Sequence, residues 1–208
     1  MNLLKALNWR YAVRKFSDEM IDESQVQELL TATRYSASSY GLQPYHLLVV
    51  NSVEIRQQLL PYSMGQEKVV KCSHLVIFAA QTDIGDETVN RYVDKASIVR
   101  RVPLENLQSM ADHFKSALAV KTASQKQEWA HQQAYIALGN FLTCAALMEI
   151  DTCPMTGFEV AGYDEVLGLA EKGLTTSVIC AIGKRHPDDS NASLQKIRFD
   201  HDEMILTV

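Results

Sequence analysis

Cationic side chains near the two ends of this chain are its most chemically suggestive feature. RYAVRKF, residues 10–16, carries Arg10, Arg14 and Lys15, and LQKIRF carries Lys196 and Arg198. Arg10 and Arg14 are four apart, a spacing that shares one face on a helix and also on an extended strand. Lys196 and Arg198 share a face if their segment is extended. Arginine forks and lysine point charges suit a dianion, so the two pairs could converge on one. They could equally be two unrelated solvated patches. Lys15 points the other way in an extended reading and is expected in solvent.

The surrounding chain makes this basic knot unusual. Lys and Arg number 20 against 25 Asp and Glu, for a net charge of −5. An acidic balance argues against nucleic acid as the partner. No uninterrupted apolar window reaches the roughly 18 residues of a membrane span, so no membrane partner is expected. The N-terminal MNLLKALNWR is too short and polar for a secretory signal. Cys72, Cys144, Cys153 and Cys180 form no C-x-x-C pair, which reads as reduced thiols and a cytoplasmic location.

Other chemistries lack their motifs. There is no G-x-G-x-x-G after a strand, no G-x-x-x-x-G-K-[ST], no G-x-S-x-G and no H-E-x-x-H. His201, Asp202 and Glu203 could hold a metal, but a solvated charged turn is the better reading. SASSYGLQP offers the hydroxyls of Ser36, Ser38 and Ser39 and the Gln43 amide, to a polar ligand or to its own turns. CPMTGFE puts Gly157 where backbone N–H groups could approach a ligand, or where an ordinary turn needs it.

The elements that must position these residues follow from periodicity. NLLKAL reads as a short helix. The next runs through ESQVQELLTATR, with Asp22 and Gln25 as reciprocal caps and Val26, Leu29, Leu30 and Thr33 on its apolar face. Strands are expected at 46–51, 74–82 and 175–183. Ser52 starts a helix that ends before Pro61. From 84 to 121 the chain is polar and weakly periodic, expected as broken helix in a mobile or substrate-facing part. The strongest helix spans 125–150 and is apolar nearly all round from Tyr135, which suits a core or an interface. CPMTG reads as a turn, GYDEVLGL as a short helix and EMILTV as a terminal strand. The class is mixed α and β. Without a Pro/Gly/Ser linker, residues 1–208 are expected to form one domain.

In this order the pieces resemble the FMN-dependent nitroreductases, in particular the oxygen-insensitive and dihydropteridine-reductase-like branch. RYAVRKF is similar to the family's R-x-S-x-[RK]-x-F opening, and YSASSYGLQPYH to its S-P-S-x-x-N-x-Q-P-W segment. GQEKVVKCSHLVIFAA, YIALGNFLTCAALMEIDTCPMTGFE and ASLQKIRF match later blocks in register. The resemblance implies an α+β fold, with a mainly antiparallel sheet flanked by helices. It implies an intertwined homodimer with FMN at the interface, in which residues 195–208 reach over the partner and the apolar helix joins the dimer core. The implied reaction is ping-pong two-electron reduction, with NAD(P)H as co-substrate. Nitroaromatics, quinones or similar flat acceptors would be reduced. A flavin or pterin reductase, or a flavin-binding protein without turnover, are the alternatives.

The resemblance also implies roles for individual residues. Arg10, Lys196 and Arg198 match phosphate-binding positions. Arg14 and Lys68 match positions at the N1/O2 edge of the flavin. Ser38 and Ser39 match pocket residues from the second subunit. Pro154, Met155, Thr156 and Gly157 match the turn whose backbone N–H groups face N5. No side-chain acid or base is implied, since the flavin is the reactive centre. There are departures from the family pattern. Ala12 replaces Ser, Tyr11 stands where His or Arg is common, and Tyr45 replaces Trp. Gly41 and Gly65 replace Asn, leaving Gln66 to take over a flavin contact. Thr156 replaces Glu, which removes a carboxylate beside N5.

Overall fold

The computed structural model describes residues 1–208. Its centre is an antiparallel sheet of strands β1 (Tyr45–Val50), β2 (His74–Gln81), β3 (Asp151–Met155) and β4 (Leu174–Gly183), in the order β1-β2-β4-β3. The two central strands are apolar along their length because both faces are covered. Alternation divides them cleanly. Val76, Phe78, Val178, Cys180 and Ile182 point into one core, and Leu75, Ile77, Ile179 and Ala181 into the other.

Helices α2 (Glu23–Arg34) and α7 (Ala123–Leu147) cover the first face. There Phe141 meets Phe78 edge-on, with ring centroids 5.5 Å apart. Helices α3 (Val53–Leu59), α4 (Lys68–Lys71) and α8 (Val160–Leu167) lie on the second face. Helix α1 (Leu3–Trp9) precedes the basic segment. Helices α5 (Asp86–Arg100) and α6 (Gln108–Ala119) build a smaller core with Leu42 and Trp129. The polar stretch 84–121 thus packs as two helices rather than a loose insertion, since Val89, Val93 and Ala96 suffice for one buried stripe.

Several expectations need correction. CPM is not a turn: Cys153, Pro154 and Met155 belong to β3. That strand is an edge, where a proline without an N–H is tolerated. Asp22 makes no side-chain cap, whereas Thr122 and Gln125 form a complete capping box that starts α7 earlier than expected. EMILTV forms no strand within this chain. Met204 closes a single helical turn, α9 (His201–Met204), which Ile205 caps, and the residues after it join no strand. A strand needs a neighbour, and the chain's own sheet offers none there.

The basic segment is extended. It lies against the sheet through bridges from Ala12 to Thr152 and from Phe16 to Arg185. Phe16 can approach because Gly183 has no side chain: a Cβ there would sit 2.7 Å from the Phe16 ring. Backbone bonds from Val13 to Thr152 (3.1 Å) and from Ser17 to Lys184 (2.8 Å) fix the register.

Candidate functional site: a cationic cleft at the sheet edge

The two basic pairs meet. Arg10, Tyr11, Ala12, Arg14, Pro154, Lys196 and Arg198 line one cleft of about 850 Å³ with Trp9 and Arg185. That volume suits a small-molecule site. Helix α1 ends at Trp9, the extended chain carries Arg10 and Arg14 along the edge strand β3, and the C-terminal segment closes the cleft with Lys196 and Arg198. Lys196 Nζ donates to the carbonyls of Leu7 and Arg10 and so docks this segment on the end of α1.

The electrostatics are one-sided. None of Arg10, Arg14, Lys196 or Arg198 has a carboxylate in ion-pair range. Burial, then the charge of Arg198, holds the Arg10 guanidinium below its usual range, though the thiols of Cys180 and Cys153 act in the other direction. Burial, then the charges of Arg10 and Arg198, lowers the Lys196 ammonium likewise. Cations that disfavour one another's charge are stabilised by an anion placed among them. Lys15 faces away and makes only an exposed contact with Asp188 at 3.5 Å.

A second layer, invisible to spacing arguments, holds the cleft in shape. Arg185 is stacked between Trp9 (4.2 Å) and Tyr11 (4.7 Å). Its Nε and backbone N–H both donate to the buried Asp151 carboxylate at 2.8 Å. Burial, followed by the Asp189 charge, pushes the Tyr11 phenol up to about 12. The Asp189 carboxylate accepts the N–H groups of Arg14 (2.7 Å) and Lys15 (3.1 Å). Sequence reasoning missed Arg185, Asp151 and Asp189 because each is a lone charge whose partner is distant in the chain.

The remaining expected residues lie elsewhere. Gln66 Nε2 donates to the Gly157 carbonyl at 2.9 Å, which ties the chain before Lys68 to the end of the Pro154, Met155, Thr156 and Gly157 run. Thr156 is exposed and Met155 buried. Ser38, Ser39 and Gly41 do not line the cationic cleft. Gly41 lines a separate cleft of about 670 Å³ beside β1, together with Arg34, Arg91 and Lys95. The Tyr92 ring fills the space beside Gly41, 2.9 Å from where a Cβ would be, so the Asn of the family pattern has no room. The Ser38 hydroxyl accepts the Gln43 N–H (3.1 Å), and the Ser39 N–H donates to Gln133 (2.7 Å). The Ser38 hydroxyl is thus engaged within its own turn, and the Ser39 backbone is tied to α7.

Fold and cleft together define an α+β protein whose sheet edge gathers cations without carboxylate partners. The chain belongs to the nitroreductase family, whose model it matches over residues 7–184. It is similar to the oxygen-insensitive NAD(P)H nitroreductase of Salmonella typhimurium, at 28% identity over 208 residues covering 96% of each chain. It is also similar to the major NAD(P)H-flavin oxidoreductase of Aliivibrio fischeri, at 29% identity over 98% of this chain and 97% of that protein. A structure from Exiguobacterium sibiricum solved in complex with FMN has the same fold. Its TM-score is 0.85 at 16% identity, covering 100% of this chain and 98% of the other.

The buried pair in the second layer gives a direct test. Asp151→Ala strands Arg185, whose side chain is only 24% exposed. Because Arg185 keeps some contact with water, the expected loss is about 3 kcal/mol, the low end for breaking a buried pair. Urea denaturation of the variant against the native protein measures it.

Proposed function

We propose that this protein is an FMN-dependent NAD(P)H oxidoreductase that reduces flat acceptors such as nitroaromatics and quinones. The observation that carries this reading is the cleft itself. It gathers Arg10, Lys196 and Arg198 without a balancing carboxylate, beside the small Ala12 and the flat Pro154. These residues fit a phosphate monoester joined to a planar ring. When bound, FMN supplies ping-pong two-electron chemistry, accepting a hydride from the nicotinamide and passing it to the acceptor.

The chain's own part is binding and electrostatics. Arg10, Lys196 and Arg198 neutralise the phosphate dianion. Arg14 and Lys68 oppose the negative charge that arises at the N1/O2 edge on reduction, which is preorganised stabilisation rather than proton transfer. Backbone N–H groups around Thr156 and Gly157, in a turn held by the Gln66 contact, would serve the hydride-accepting edge of the ring. Thr156 brings no carboxylate to that position, so the charge balance there rests on Arg14 and Lys68. Neither Tyr11 nor the cleft's cations is assigned acid or base work, so the proton for the acceptor comes from solvent.

We further propose a homodimer in which the segment 195–208 reaches over the partner, Lys196 and Arg198 staying in their own chain's cleft and the residues after them making the crossing. Ile197, Phe199, Ile205, Leu206 and Val208 are exposed on a single chain, as are Tyr135 and Ile136 on α7. Strand β1 is an open edge. Such surface is stabilised by a second copy. In that assembly the loop of Ser38, Ser39 and Gly41 serves the partner's flavin, which accounts for its distance from the cationic cleft. All four cysteines are free thiols, in keeping with the cytoplasm.

Protein purified with FMN is expected to be yellow and to bleach when mixed with NADH or NADPH; colourless protein that takes up no FMN contradicts the reading. In the same preparation Arg10→Ala should weaken FMN binding by about 10- to 150-fold, the worth of one charge-assisted bond. Arg14→Ala should instead make the flavin midpoint potential more negative, with a smaller effect on affinity. Equal losses of affinity with an unmoved potential would refute that division. For the dimer, deleting residues 199–208 should shift sedimentation toward monomer; an unchanged dimer would refute the crossing tail.

A further inference from the structure

Asp189 is a buried charge that the chemistry above does not use. It is 4% exposed, yet no cation lies within ion-pair range of it. Its partners are backbone. Oδ2 accepts the N–H groups of Arg14 at 2.7 Å and Lys15 at 3.1 Å, and Oδ1 accepts the N–H of Asn191 at 3.0 Å. Those donors belong to the two segments that furnish the cationic cleft. Arg14 sits on the N-terminal one. Asn191 opens the short 3-10 turn Ser190–Ser193, after which the chain runs directly into Lys196 and Arg198.

We propose that Asp189 is the positioning residue of this cleft. Its carboxylate ties the backbone of Arg14 to the start of the segment bearing Lys196 and Arg198, and so sets the separation between the ring-end cation and the phosphate-end cations. The inference rests on the FMN reading above.

The residue type matches the chemistry of the site. All three partners are donors, so the site requires acceptors only. An ionised carboxylate offers two acceptor oxygens. An asparagine of the same shape would set its NH₂ group against an N–H and leave at least one donor unmatched. The other cross-links here, from Val13 to Thr152 and from Ser17 to Lys184, fix the segment to the sheet. Lys196 joins the tail to the Arg10 carbonyl at the start of the segment, and Asp189 is the side chain that fixes the tail to the Arg14 end of it.

The effect reaches the flavin through Arg14, and its sign separates this role from two others. If Asp189 acted only as a nearby negative charge, removing it would raise the flavin midpoint potential. If it served folding alone, the potential would not move. If it positions Arg14, losing it displaces a cation and lowers the potential.

The experiment uses the FMN-loaded full chain. Asp189→Asn is expected to weaken FMN binding about 10-fold, the worth of one charge-assisted bond, and to shift the midpoint potential negative. The potential shift should vanish in an Arg14→Ala background, since coupled residues are not additive. A rise in potential, no shift, or a shift that persists without Arg14 overturns the proposal. Should Asp189→Asn not fold, Asp189→Glu keeps charge and acceptors but adds a methylene, and is judged by the same loss of its shift in the Arg14→Ala background. Native protein that binds no FMN would instead overturn the functional reading, which the native titration establishes separately.

Discussion

Arg10, Lys196 and Arg198 are brought together across almost the full length of the chain, and no carboxylate answers them. Burial and the neighbouring cations both disfavour the charged forms of Arg10 and Lys196. Folding the protein therefore works against a like-charge cluster, which other contacts must offset. Lys196 is held by carbonyls at the end of α1, and the basic segment is bridged to β3 and β4. A bound dianion would remove the repulsion, so cofactor affinity and fold stability are linked in this molecule.

The architecture around the cluster is a division of labour. Central strands buried on both faces give a rigid base. The edge strand β3 accepts Pro154 because its outer side is not hydrogen-bonded in a ladder. The extended segment then lies beside that edge, and Gly183 lets Phe16 lock it down. Buried Asp151 pairs with Arg185, and buried Asp189 holds the Arg14 backbone, so the Arg14 side chain is placed by an anion that does not neutralise it. The acids lie behind the wall, and the positive charge faces the cleft.

Much of this was legible in the sequence. The Arg10/Arg14 and Lys196/Arg198 spacings suggested shared faces, and in the fold these residues line one cleft. The strands at 46–51, 74–82 and 175–183 stand within a residue or two of their expected places, because continuous β-branched and apolar runs leave few alternatives. What was not legible depends on distance along the chain or on context. Pro154 looked like a turn residue because its strand's edge position is a property of the whole sheet. Asp151 and Asp189 drew no notice because the Arg185 and Arg14 donors they hold lie far away in sequence. The Asp22 cap failed although its motif was present, while Thr122 capped α7 outside the expected helix. The final residues look like a strand and have no neighbour within one chain to make them one.

The central claim is that this cation cluster exists for a phosphate. Comparing FMN with riboflavin in an equilibrium titration tests it most directly, because the two ligands share the ring and differ in that group. Three charge-assisted contacts at this site should make FMN bind at least about 100-fold more tightly, with the advantage shrinking as salt is added. Equal affinity for the two ligands would contradict the account.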